Sequence, residues 1–543
     1  MRQILLVLIA LLLPTIGEAS STPPADVVTR SGEVRGAVLD DGVIAFKGIP
    51  YAAAPVGPLR WRPPQPTPAW VTPLDATQFG MPCFASPLPG PAAALVQSED
   101  CLTLNIWAPP VASTSSTTLR STTSKQFGLK RPVMVWIHGG GFEFGSSAQP
   151  LYDGSNLARH NVVLVSFNYR LGVFGFLAHP ALDHEGPASG NYGLQDQIAA
   201  LRWVRANIAA FGGDPQNITI FGQSAGAHAV GMLMASPQAK GLFAKAIAES
   251  GAFWDSEHGS LATHTEAIDR GIAFQKRMGA TGIAALRAIP AEQINIAGRW
   301  DVRRDPGTTA FAPSVDGYVL DDAPAAVFAR GRAANVPLLA GWNAQEENPL
   351  FLPRALPHTT PQAFGEAAAK LFGRDRRAAA ETAYPATDPK SSAERLIGDL
   401  VISQQTWEML ALQEKARRNG VYAYQFSFTS PYSPIANHGA EVKYVFSNLR
   451  TPLLVSGNVE ADARDRATAD LMVTYWTNFA GRGDPNGPGL PTWPAYRGPG
   501  SDVLAIGPAG AKSTAEAGTH RFRFIRSFRK AGRLSHRWRT ILP

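Results

Sequence analysis

The chain is poor in cysteine, poor in charge and without a long apolar run. Its 543 residues include two cysteines and eleven histidines. Two cysteines alone cannot build a zinc site, and no H-E-x-x-H occurs among the histidines, so no metal chemistry is expected. No stretch of eighteen apolar residues occurs, which excludes an ordinary membrane span. Charged residues make up only 17%, beside 12 Trp and 26 Phe, a composition too apolar for a disordered protein. A chain this long buries a large core. The formal net charge is +7, yet residues 520–543 hold eight Lys/Arg and no acid, which leaves the rest at a net −1. The body is near neutral and only the tail is basic.

The N-terminus begins Met1-Arg2-Gln3, runs through ten apolar residues from 4 to 13, and reaches Pro14 and Gly17-Glu18-Ala19. A basic start, a short hydrophobic stretch and a small-x-small end read as a secretory signal peptide over residues 1–19. Cys83 and Cys101 are close enough to close a small loop. In an oxidising compartment such a pair is normally bridged, which stabilises a fold by roughly 3 kcal/mol. The chain is therefore expected to be secreted or periplasmic.

No internal repeat stands out. Residues 111–124 carry ten Ser/Thr in fourteen and read as a solvated loop. Around and after them, strands are predicted at 104–108, 132–137, 162–168, 218–221, 243–248, 336–340 and 421–428. Helical spacing covers 194–208, with Leu201, Val204 and Ile208 on one face. Strand and helix alternate, which implies a large α/β domain with a mainly parallel sheet covered on both faces. Residues 255–335 and 345–420 read as helical, irregular insertions above that sheet. The division expected is a signal peptide (1–19), one α/β domain (20–519) and a basic tail (520–543).

The chemistry lies in two glycine motifs. Gly222-Gln223-Ser224-Ala225-Gly226 is a G-x-S-x-G between a short apolar strand and a helix at 225–234. That context forces a serine out at a sharp strand-to-helix turn, beside free N–H groups of a helix start. His138-Gly139-Gly140-Gly141 follows the strand at 132–137. Only glycine turns successive backbone N–H groups toward one point unobstructed, as an oxyanion requires. A nucleophilic serine needs a base and an orienting acid, which in this chain order follow it. Of the later histidines, His358 lies in a Pro-rich insertion and His520 and His536 in the tail. His438 sits just after the strand at 421–428. The acid is Glu346 or Glu347, both just beyond a strand end, and spacing alone does not separate them.

These residues resemble those of the type B carboxylesterases, the family of carboxylesterases, cholinesterases and related lipases. The resemblance covers about residues 25–510. Its blocks include F-K-G-I-P-Y-A at 46–52, S-E-D-C-L-T-L-N-I at 98–106, N-Y-G-L-Q-D-Q at 191–197, F-G-G-D-P at 211–215, E-S-G at 249–251, P-S-V-D-G at 313–317 and H-G-A-E at 438–441. It implies the α/β-hydrolase fold, with helical insertions over an active-site gorge. It also implies a serine esterase with Ser224 as nucleophile, His438 as base and Glu346 as acid. The oxyanion donors would be the N–H groups of Gly140, Gly141 and Ala225. It pairs Cys83 with Cys101 and sets Ser250 beside the acid. Two departures stand out: Glu347 replaces the glycine usual after the acid, and Gln223 replaces the commoner Glu before the serine. The Gln223 side chain is expected to point away from the reacting centre.

The expected partner is a small-molecule ester, with no cofactor and no nucleic acid. The segment 83–101 has no Trp, whereas cholinesterases carry a cation-binding Trp there, which argues against a choline site. Arg303 and Arg304 precede the 311–317 block and would suit an anionic ester if they faced the gorge. A lipase acting on long chains, and a non-catalytic binding protein on the same fold, are the rival readings. The tail interleaves Arg with Phe522, Phe524, Phe528 and Trp538. It reads as a solvated terminus, or as a weak attachment to an acidic surface. Asn217-Ile218-Thr219 is a glycosylation sequon that enters a core strand.

Overall fold

The computed structural model describes residues 24–86, 96–110, 130–253, 261–299, 311–346, 360–416, 420–449 and 459–530. Residues 1–19, the Ser/Thr stretch 111–124, Arg303, Arg304, Glu347, His358 and His536 lie outside them.

Fifteen strands are described, thirteen of them in one sheet. They are β1 (Pro24–Thr29), β2 (Gly32–Val38), β3 (Ile44–Pro50), β4 (Leu74–Asp75), β5 (Thr103–Ala108), β6 (Arg131–Ile137), β7 (Val163–Phe167), β8 (Gly213–Gln223), β9 (Lys245–Glu249), β10 (Ala262–Thr263), β11 (Ser314–Val315), β12 (Leu338–Asn343), β13 (Val421–Phe426), β14 (Asp502–Gly507) and β15 (Gly510–Ala515). The sheet runs β1-β2-β3-β5-β7-β6-β8-β9-β12-β13-β14-β15, with β4 beside β2, while β10 and β11 pair separately. From β7 to β14 every pairing is parallel. The edges are antiparallel hairpins.

The central strands are apolar along their whole length because both faces are covered. In β6, Val133, Val135 and Ile137 enter one apolar cluster while Met134 and Trp136 enter the opposite one, as a period of two demands. Helices Tyr192–Asn207 and Ala225–Ala235 cover the first face, and helix Ala463–Arg482 covers the second. A third cluster joins the insertion helices 361–398 to helix Thr519–Lys530.

That last helix departs from the expected solvated tail, and the boundary drawn at 519/520 falls inside it. Phe522, Ile525 and Phe528 are buried, with Phe522 edge-on to Trp342 at 5.4 Å. Three of its basic residues are spent internally. Arg521 Nε donates to Asp399 at 2.7 Å, Arg526 pairs with Glu408 and Arg529 Nη2 donates to the Leu400 carbonyl. The spacing of three that buries those apolar residues is helical, but the arginines between them hid it.

Cys83 and Cys101 are joined as a disulfide. Asn217 of the sequon is engaged at both ends of its amide, donating to Gly481 O and accepting from Lys245. Among the described residues, no helix is long and apolar enough to cross a membrane.

Candidate active site

Sequence order along the sheet reverses between β6 and β8, since β7 lies on one side of β6 and β8 on the other. At such a switch point the connections diverge and leave a crevice beyond the strand ends. Trp136 pairs with Phe221 and Ile137 with Gly222, so the two glycine motifs leave the sheet side by side. A β-carbon at Gly226 would lie 2.0 Å from the Ile137 carbonyl oxygen, and one at Gly222 2.6 Å from it. Both positions therefore require glycine. Between them Ser224 takes φ 58° and ψ −125°, a strained conformation costing about 1–3 kcal/mol. Its N–H is anchored on the Glu249 carbonyl at 3.0 Å.

The loop after β6 turns on Gly140 (φ 114°) and Gly141 (φ 62°). His138 anchors it. The ring is buried, stacks on Tyr169 at 4.5 Å and meets Gly139 O through Nδ1 at 2.9 Å, while Tyr169 OH donates to His138 O. Burial pushes its pKa down to about 4, so the ring is neutral and structural. Among the described residues, the N–H groups of Gly140, Gly141 and Ala225 donate no hydrogen bond. Backbone donors left unpaired beside a crevice are unusual and suit a negatively charged oxygen.

Glu346 and His438 are brought together by the sheet. Asn343 pairs with Phe426 at the ends of β12 and β13, and the loops beyond stay in register through a bridge between Gln345 and Asn437. Gln345 N donates to Ala436 O at 3.1 Å. One residue further, Glu346 Oε2 meets His438 Nδ1 at 2.7 Å, and Glu346 Oε1 accepts from the Asn343 N–H at 2.6 Å. Burial disfavours the charged imidazole, but the neighbouring Glu346 and Glu441 carboxylates outweigh it and hold the His438 pKa above its ordinary value.

Behind this pair lies a group of buried acids. Glu441 accepts from Ser250 Oγ at 3.2 Å and from Asn343 Nδ2. Burial, then the charge of Glu346, push its pKa up to about 7. Glu249, fully buried, accepts from Trp476 Nε1 at 2.7 Å. Burial and Glu441 raise it well above the carboxylate range. Ser250 thus reaches Glu441, not Glu346 itself.

Gln223 also departs from expectation. Its side chain turns toward the imidazole of His438, with the two Nε2 atoms 3.2 Å apart. The last strand residue before a sharp elbow lies against whatever loop closes over the sheet end, and here that loop carries His438.

A profile described as the Carboxylesterase family matches residues 23–525. The fumonisin B1 esterase of Sphingopyxis macrogoltabida is 39% identical over 497 residues, covering 88% of this chain and 86% of that one. The para-nitrobenzyl esterase of Bacillus subtilis is 36% identical over 491 residues, covering 87% and 92%. Among solved structures, a PNB esterase superposes with a TM-score of 0.76 at 32% identity, covering 92% of this chain and 99% of that one. The chain belongs to the carboxylesterase family.

It is a carboxylic ester hydrolase with the α/β-hydrolase fold. In this carboxylesterase Ser224, His438, Glu346, Gly140, Gly141 and Ala225 all fall at the carboxyl ends of β6, β8, β12 and β13. Three polar residues of the site were not anticipated in their roles: Glu441, Glu249 and Gln223. The first two stood in the H-G-A-E and E-S-G blocks, whose burial no spacing rule reveals.

Proposed function

We propose that this carboxylesterase hydrolyses small-molecule esters through an acyl-enzyme on Ser224. The Ser224 oxygen attacks the carbonyl carbon and its proton passes to Nε2 of His438. Glu346, on Nδ1, keeps that ring oriented and stabilises the imidazolium. The N–H groups of Gly140, Gly141 and Ala225 receive the oxyanion, and each such donor is commonly worth about 3 kcal/mol of barrier. Collapse of the tetrahedral adduct breaks the ester C–O bond, and the alcohol leaves with the proton from His438. Water then attacks the acyl carbonyl carbon and gives a proton to His438; the bond from that carbon to the Ser224 oxygen breaks, His438 returns the proton to that oxygen, and the acid leaves the free serine.

The observation that carries this reading is the 2.7 Å contact of His438 Nδ1 with Glu346, formed between residues 92 positions apart at the ends of adjacent strands. The unpaired donors beside the strained serine support it. A short-chain nitrophenyl ester tests it. Ser224→Ala should lose activity by at least about a thousandfold with unchanged folding, and retained turnover would refute the reading.

The names of relatives point to varied substrates: fumonisin B1, para-nitrobenzyl esters and, for the Pseudarthrobacter oxydans relative, phenmedipham. A panel varied in acyl size, charge and alcohol separates these classes. We further propose export, supported by the composition of residues 1–19 and by the Cys83–Cys101 bridge. Mass spectrometry of the mature N-terminus of the exported protein reads it directly.

A further inference from the structure

We propose that Gln223 is a further catalytic residue, whose side-chain amide caps the Nε2 lone pair of His438 in the free enzyme and yields it to Ser224 when substrate binds. The proposal rests on the acyl-transfer reading above and assigns a regulator to its base.

With Nδ1 against the Glu346 carboxylate at 2.7 Å, the proton of the neutral ring sits on Nδ1 and Nε2 presents a lone pair. The Gln223 amide nitrogen lies 3.2 Å from that atom, and an amide N–H only donates. The same lone pair must take the Ser224 proton. Among the described residues, the Ser224 hydroxyl makes no hydrogen bond, so the two neighbours on the elbow do not share the base at rest.

The amide sits in a built slot. Gln223 is 8% exposed and lies between two glycines. A β-carbon at Gly139 would stand 3.2 Å from its Oε1, and one at Gly439 would stand 3.5 Å from its Nε2. Gly139 belongs to the glycine run, where a β-carbon would press on the amide oxygen, and Gly439 follows the base, where one would stand in ordinary contact with the amide nitrogen. The carbonyl end faces the glycine run and the nitrogen end faces the imidazole.

The electrostatic consequence has a definite sign. Two carboxylates, Glu346 on Nδ1 and Glu441 on the base's own loop, favour the imidazolium. A donor on Nε2 favours only the neutral ring, because a protonated Nε2 has no lone pair to offer. Gln223 is therefore the neutral counterweight to both acids, and keeps more of the base deprotonated near neutral pH. A glutamate in the same slot would do the opposite, adding a third negative group beside the ring.

The test is the rate at which an uncharged fluorophosphonate labels Ser224, measured from pH 5 to 9. It needs no knowledge of the natural ester. Gln223→Met keeps the length and removes the donor. Its acid midpoint should rise by about half to one pH unit, the equivalent of one ordinary hydrogen bond. Gln223→Glu should raise the midpoint further. A midpoint unchanged or lowered in Gln223→Met overturns the proposal, since a merely packed side chain would leave it in place. If that variant does not fold, an unchanged midpoint in Gln223→Glu overturns it equally. Failure of the parent protein to be labelled at all would instead strike the acyl-transfer reading.

Discussion

At the scale of single residues, the site is a contest over charge in a buried volume. His438 has its pKa raised by Glu346 and Glu441, so activity that needs the neutral ring should fall as pH drops, with the loss beginning above the ordinary histidine value near 6.5. Glu441 itself titrates at about 7. Its charge above that pH helps hold the imidazolium. Glu441→Gln removes that charge at every pH, so the acid limb of kcat/KM should move down by roughly half a unit or more. Its effect on stability has the reverse logic. A carboxyl whose folded pKa lies above its unfolded value binds more protons when folded, so stability is lost as pH rises from about 4.5 through about 7. Thermal unfolding from pH 5 to 8 should show that decline, and Glu441→Gln should flatten it. An acid limb that does not move would show that Glu441 does not act on the base. Little of this was legible beforehand. Spacing alone leaves Glu346 and Glu347, adjacent in a loop, both open, and the resemblance names Glu346; the pairing of Gln345 with Asn437 is the tertiary fact that carries Glu346 to the imidazole.

At the scale of elements, the elbow follows from two close approaches, and the sequence announces it. Of the strands from β5 to β13, all but the two-residue pair β10 and β11 are legible, because both faces are buried and their apolar runs are long enough to read. The outer strands β1 to β3, β14 and β15 were not anticipated. In β1 and β2, at one edge, exposed residues alternate with buried ones and the apolar signal halves, and β15 at the other edge has no buried residue. Gly226 is the most constrained point of the elbow, its absent β-carbon only 2.0 Å from the Ile137 carbonyl oxygen. Ile137 is the last residue of β6, and the glycine run starts after it. Gly226→Ala must push the serine helix away from that strand, at about 1–3 kcal/mol or more. The same displacement moves Ala225 relative to Gly140 and Gly141. Activity should then fall by at least tenfold in protein that remains folded by circular dichroism. Parent-like turnover would mean that the three N–H groups need not converge closely.

At the scale of the whole molecule, two fasteners that lie far apart in sequence tie the segments outside the sheet to it. One is the Cys83–Cys101 bridge, whose loop is also gripped where Arg60 holds Glu99 at 2.6 and 2.5 Å. Loop-closure entropy assigns such a bridge about 3 kcal/mol. A Cys83→Ala/Cys101→Ala double variant should lower the denaturation midpoint accordingly, and reductant should have no further effect on it. The other fastener is helix Thr519–Lys530. Phe522 packs against Trp342, on the strand that leads to Glu346, and against Trp407, on the helix that covers it. Two turns on, Phe528 meets Phe372 of the insertion. One short helix therefore couples the acid-bearing strand to the helical layer above. Two of its arginines, Arg521 and Arg526, pair with Asp399 and Glu408. Phe522→Ala should cost about 3–5 kcal/mol, as for other large-to-small core changes. Because the cavity would open beside Trp342, the loss should reach the site before the protein unfolds. Esterase activity is expected to decay at a temperature below the global transition, whereas Arg523→Ala on the exposed face of the same helix should leave both unchanged. If Phe522→Ala lowers only the global transition and activity tracks it, the helix is a simple brace and the coupling to Glu346 is absent.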